Sequence, residues 1–156
     1  MKEFNSFGAF AAHLAAVTVE TGIAEHECLE QAARIIEKSA KEKIGQYQSE
    51  AGPFAAWAEL ADSTKADRVQ QGYSENDPGY RSGEMRESIE HVVVGREAHI
   101  GSNDDHLVWF EFGTDKQPPR SVLGGAAFES APAIVELVGM EMYSVLSGNG
   151  VKKVVR

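Results

Sequence analysis

From Gly45 to Gly83 the chain strings together Gly52, Pro53, Gly72, Asn76, Asp77, Pro78 and Gly79, and no long helical or strand periodicity survives across these breakers. This region therefore reads mainly as loop. Irregular stretches of this length are uncommon in compact domains and are usually functional, or disordered until bound. Within this one, residues 63–69 favour a short helix that Asp62 or Ser63 would cap, and Ser82 is placed to cap a further turn through Met85.

Upstream, residues 1–45 read as helical. Phe4, Phe7, Phe10, Leu14 and Val17 recur at spacings of three and four, with Asn5 or Ser6 as the cap. Thr21 and Gly22 interrupt that stripe. Leu29, Ala32, Ala33, Ile36, Ala40 and Ile44 form a second one, supported by Glu30 with Arg34 and Glu37 with Lys41 at i, i+4. Two helices and one long bent helix satisfy this pattern equally. Downstream of Ser88, IleGluHisValValVal and AlaHisIleGly on either side of a turn predict a β-hairpin ending near Ser102. Asn103 to His106 predict a polar loop, and residues 107–112 fit a third strand or a buried helical turn. From Ala126 to Leu146, the side chains of Phe128, Ala131, Val135, Val138, Met142 and Leu146 line one face, widened by Ile134, Leu137 and Val145. They predict a long amphipathic helix packed on the sheet, with Pro132 tolerated only if the helix starts near Ala131. Residues 147–156 read as a tail, or an edge strand protected by its lysines.

The expected architecture is a single α+β domain over 1–156. It comprises a helical region (1–45), a long loop region with short helices (46–87), then a small antiparallel sheet, an aromatic segment and a long C-terminal helix (88–146). At 156 residues, with 42% hydrophobic and 25% charged residues, one buried core suffices. No uninterrupted apolar run approaches the roughly 18–20 residues of a bilayer span. Lys2 and Glu3 precede a segment broken by His13, unlike a secretory signal, so no membrane and a cytosolic location are expected. A net charge of -9 argues against gripping nucleic acid. Cys28 stands alone, which excludes an intrachain disulfide and a thiolate metal cluster and leaves it as a small packing residue.

Candidate chemistry is sparse. Asp104, Asp105 and His106 have metal-ligating side chains and suggest, as an alternative reading, a small metal-dependent hydrolase or nuclease. Consecutive side chains do not converge on one ion without outside partners, however, and His13, His26, His91 and His99 form no HExxH pattern. There is neither a GxSxG elbow nor a glycine-rich phosphate loop after a strand, so no catalytic residue and no cofactor is expected. Phe54, Trp57 and Leu60, flanked by glycine and proline, either fold back on the core or form an interface. Tyr73, Tyr80, Arg81, Trp109 and Arg120 are of the types that anchor protein interfaces. In FEFGTDKQPPR (Phe110 to Arg120), the aromatic residues Trp109, Phe110 and Phe112 are expected to reach the core and Gly113 to turn the chain. Pro118 and Pro119 then hold Arg120 extended as a docking contact.

Short patches line up in chain order: TrpAlaGluLeuAlaAspSerThr (Trp57 to Thr64), ArgSerGlyGluMetArgGluSerIle (Arg81 to Ile89), GluPheGlyThr (Glu111 to Thr114) and ProProArgSerValLeu (Pro118 to Leu123). Over about Trp57 to Val138 the chain resembles the small tail-completion, or head-tail joining, neck proteins of tailed bacteriophages. Ala58, Glu59, Ser121 and Val122 stand where that family often carries proline or proline-phenylalanine. The resemblance implies a structural, non-enzymatic virion protein that completes the tail or joins it to the head. It further implies a homo-oligomeric ring contacting neighbouring neck and tail proteins, with genomic DNA passing through without specific binding. The protein would reside in the host cytoplasm during assembly and then in the virion. Trp57, Arg81, Ser88, Glu111, Phe112, Gly113, Pro119 and Arg120 are the positions that carry the family pattern, expected to serve fold and subunit contacts.

Overall fold

A computed structural model describes residues 3–148; the expected tail beyond Gly148 lies outside them. The longest element is a single helix, α1 (Phe7–Lys43), of 37 residues, about 55 Å at 1.5 Å per residue. Ser6 caps it, its hydroxyl accepting from Ala9 N at 3.1 Å. The expected break at Thr21 and Gly22 is absent. Thr18 and Thr21 turn their hydroxyls back onto the carbonyls of Leu14 and Val17, so neither competes for a turn, and Gly22 is carried inside the helix.

The irregular region is held in place rather than loose. It contains α2 (Asp62–Gln70) and the single turn α3 (Glu84–Glu87). Tyr47 does much of the holding: its hydroxyl donates to Asn76 Oδ1 and accepts from Leu60 N. Gly45 N donates to Pro78 O at 2.8 Å and Trp57 N to Gln48 O at 2.9 Å. Neither Asp62 nor Ser63 caps α2, whose N-cap is Ala61.

The hairpin forms as expected. β1 (Ile89–Val94) and β2 (Glu97–Ser102) pair antiparallel from Ile89 opposite Ser102 to Val94 opposite Glu97, joined through Gly95 at φ 62°. Ile89, His91 and Val93 face inward and alternate with the exposed Glu90, Val92 and Val94. The hairpin is docked on α1 by polar contacts: His91 is hydrogen-bonded between Glu30 and Glu37, and Arg96 Nε pairs with Glu25 Oε1 at 2.6 Å. The open choice for residues 107–112 resolves as helix α4 (Asp105–Phe112), so Asp105 and His106 belong to a helix start rather than a loop.

The last helix, α5 (Leu123–Leu146), differs from expectation in three ways. It begins before Ala126, so Pro132 falls inside it. It packs along α1 rather than on the sheet, and the two run antiparallel, since Lys43 Nζ meets Glu129 Oε2 at 2.7 Å while Cys28 lies near Glu141. Much of the face expected to meet the core is turned outward: Val145 is fully buried and Ile134, Leu137 and Met142 half-buried, while the other members are exposed. The seam uses the small or polar side chains Ala24, Cys28, Ala33 and Ala40 against Gly125, Ala126, Ser130 and Ser144, which let helix axes approach closely. Phe128, Val135 and Leu146 are exposed, as are Phe7, Phe10 and Leu14 on α1. Both long helices are apolar enough, by length and composition, to cross a bilayer. A search for uninterrupted apolar runs misses this because polar residues punctuate each helix.

The core gathers at the C-terminal end of α1, where Ala40, Ile44, Trp57, Ile89, Leu107, Phe110, Val122 and Ala126 meet.

Candidate functional site

Of the residues singled out in the sequence, Trp57, Glu111, Gly113 and Arg120 meet at the junction between α4 and α5. An α-helix begins with unpaired N–H groups and a partial positive charge, so an acceptor, best an anion, must be supplied there. Glu111, near the end of α4, supplies it. Its carboxylate accepts from Val122 N (2.6 Å), Leu123 N (2.9 Å), Gly124 N (3.0 Å) and the Ser121 hydroxyl (2.6 Å). Ser121 in turn accepts from Gly125 N at 3.1 Å. This double cap fixes the start of α5 at Leu123.

The chain between the capping carboxylate and the helix it caps must reverse within a few residues. Gly113 makes this possible with φ 74°. A Cβ on it would come within 2.7 Å of Pro119 N and 2.8 Å of Gln117 O, closer than real side-chain carbons approach. Thr114 and Gln117 bridge across the tip, and Gln117 Nε2 donates to Trp109 O at 2.7 Å.

Arg120 is not the solvent-facing arm expected from the two prolines. It is 3% exposed. Its Nε and Nη2 donate to Ala58 O at 3.1 and 2.8 Å, Nη2 also reaches Glu59 O, and the guanidinium lies over the Phe110 ring at 5.5 Å. The prolines aim it inward, and Arg120 N donates to Phe110 O at 2.8 Å. Trp57 meets Phe110 edge-on from the other side, ring centroids 5.3 Å apart, so Arg120, Phe110 and Trp57 stack into one brace.

The remaining pattern residues divide between support and surface. Ser88 joins the hairpin base to α3, donating to Met85 O and bonding Ser102 Oγ at 2.6 Å. Arg81 pairs with Asp67 at 2.7 Å and lies over Tyr73. Pro119 is exposed. Phe112, expected in the core, is 77% exposed, and Trp109 also faces solvent beside His106. Helical geometry is the reason: in α4 only Leu107 and Phe110, three apart, share the inward face.

Asp104 is the N-cap of α4, accepting from His106 N at 2.9 Å and from His106 Nδ1 at 2.7 Å. The backbone hydrogen bond from His106 is the main reason its carboxyl sits below the usual range, assisted by the imidazole and against a smaller effect of burial. No group of three or more metal-ligating side chains occurs among the described residues. Sequence reasoning missed Ser121, whose capping role depends on where α5 starts, and Arg68, which no motif marks.

No protein-family model matches the chain, and neither does any curated protein or solved structure.

Proposed function

We propose that the protein is a structural component of a tailed-phage particle that completes the tail, or joins tail to head, by assembling as a ring at the neck. The observation that carries this reading is the inverted packing of α1 and α5. The seam consumes small residues, while Val135 at 71% and Tyr143 at 74% exposure stand outward with Phe128, Val138, Met140 and Leu146. Large apolar side chains exposed in this number on one helix are a contact surface in search of a partner. Identical subunits around a closed ring cover each other's faces through one repeated heterologous contact.

Other features suit that role. The hairpin is a two-stranded sheet with no further strand paired to it among the described residues, and an edge strand of this kind can accept a strand from a neighbour. The capped junction of Glu111, Gly113 and Arg120 is a rigid base from which exposed Phe112 and Trp109 project. A net charge of -9 lets DNA pass without sticking where the inner wall carries the acidic residues. A bilayer is a poorer partner for α5, because exposed Glu136 lies mid-helix and burying its charge there costs on the order of 3 kcal/mol.

The experiment is an in-frame deletion in the genome that encodes the protein, followed by electron microscopy of the particles. Filled heads lying apart from finished tails support the reading. Intact, infectious tailed particles refute it.

A further inference from the structure

A cavity of about 420 Å³ opens between α2, α3 and α4, within the size range of ligand sites. Its walls include the apolar and aromatic side chains of Leu60, Tyr73, Met85, Trp109 and Phe110. Arg68 and Arg120 also line it, and each is 3% exposed. Their hydrogen-bond partners are all carbonyl oxygens: Ser74 O and Tyr80 O for Arg68, Ala58 O and Glu59 O for Arg120. Neither forms an ion pair among the described residues, whereas Arg81 on the same wall is paired with Asp67.

Buried charges are normally matched by an opposite charge, because dipoles alone repay little of the lost hydration. Here carbonyls are the only hydrogen-bond acceptors of the two guanidiniums. Burial lowers the pKa of both; Arg81 lowers that of Arg68 further, against smaller upward pulls from Asp77 and Tyr47. No hydrogen bond uses Nη1 of either residue among the described residues. The fully enclosed polar atoms without partners are Gln31 Nε2 and Arg86 Nε, so neither Nη1 is both enclosed and unpaired, and both side chains line the cavity.

We propose that this cavity is a carboxylate-binding site in which Arg68 and Arg120 together receive the anion while Trp109, Tyr73 and Leu60 hold an apolar group beside it. The planar guanidinium fork matches a carboxylate. Glu84 and Asp104 on the same wall repel a dianion more than a monoanion, which disfavours phosphate. A carboxylate flanked by apolar groups is offered either by an acidic side chain of another polypeptide or by a free small carboxylic acid.

The test is nuclear magnetic resonance of the arginine Nε–Hε groups in the full chain at constant ionic strength. The titrants are sodium acetate, acetyl-Leu-Glu-Leu-amide, its Gln counterpart and inorganic phosphate. Saturable shifts of the Arg68 and Arg120 signals are expected with acetate and the Glu peptide. The Gln peptide should bind roughly tenfold more weakly, since charge-assisted bonds are about twice as strong as neutral ones. A Glu peptide that binds more tightly than acetate identifies a polypeptide ligand; equal affinities identify a small acid. Trp109→Ala, at an exposed position that leaves both arginines in place, should weaken the Glu peptide several-fold. Absence of saturable shifts with both carboxylates, phosphate binding more tightly than acetate, or an unchanged Glu-peptide affinity in Trp109→Ala would each overturn the proposal.

Discussion

Replacing Glu111 by alanine removes the acceptor for Val122 N, Leu123 N, Gly124 N and the Ser121 hydroxyl at once. Val122 is fully buried, so water cannot freely replace the lost oxygen there. Each donor left unpaired costs about 1–3 kcal/mol when buried and less where water reaches it. The lost interaction of a carboxylate with the helix dipole adds about 0.3–2 kcal/mol. These terms overlap because one carboxylate serves all of them, and a total of about 3–5 kcal/mol is expected. For a chain of this length that corresponds to a drop of roughly 6–20 °C in Tm. Glu111→Gln keeps one acceptor oxygen, but its amide nitrogen faces the two donors that the other oxygen served, so its cost should be about 2–4 kcal/mol. The assay is urea unfolding followed by circular dichroism, comparing midpoints at constant m-value. If Glu111→Ala unfolds within about 0.5 kcal/mol of wild type, the usual range of neutral surface substitutions, the junction does not hold α5 in place and the reasoning fails.

Gly113→Ala forces a side chain into a left-handed backbone against Pro119 N and Gln117 O; a loss of about 1–3 kcal/mol is expected in the same assay, and Gly95→Ala, which meets open space in the hairpin turn, should cost less. Burial alone would push the Glu37 carboxyl up, but hydrogen bonds and charge from Lys41 and His91 hold it below its usual value. A depressed folded pKa gives stability that is present above the unfolded value of about 4.3 and lost as pH falls through the folded one. Acid titration of stability should therefore show a falling limb below about pH 4 that Glu37→Gln flattens. Asp104→Ala removes the α4 cap and should cost about 0.5–2 kcal/mol, with Asp104→Asn closer to wild type; a metal-dependent nuclease activity abolished by both would instead favour the hydrolase alternative.

The hairpin was legible because two short runs, alternating or fully apolar, flank a turn, and that turn has a glycine where φ is positive. The end helices were legible in existence, but neither the start of α5 nor the continuity of α1 nor their orientation was. Val135 and Phe128 are large and periodic, and sequence reasoning sends such stripes inward. The physical seam selected Ala24, Cys28, Ala126 and Ser130 instead, because closeness of two backbones rewards small side chains and no local signal states which neighbour a helix has. Residues 107–112 stayed ambiguous for want of length; Asp104 as a cap decides for helix. Arg120 misled for a related reason. Two prolines do stiffen its approach, but whether a stiff segment points outward or inward depends on the carbonyls of Ala58 and Glu59, some sixty residues earlier in the chain. Glu111 carries the pattern at a position where its purpose is visible only once the start of α5 is known.

The central claim is that the outward apolar face of α5 joins subunits in a phage neck. Its most direct test is complementation of the in-frame deletion with wild type and with a Val135→Glu, Tyr143→Glu variant, counting joined and unjoined particles by electron microscopy. Both positions are exposed, so the variant should match the wild-type circular dichroism spectrum. Wild type should restore tailed particles, and the variant should leave heads and tails apart. Joined particles in the uncomplemented deletion, or full rescue by the folded variant, would contradict the account.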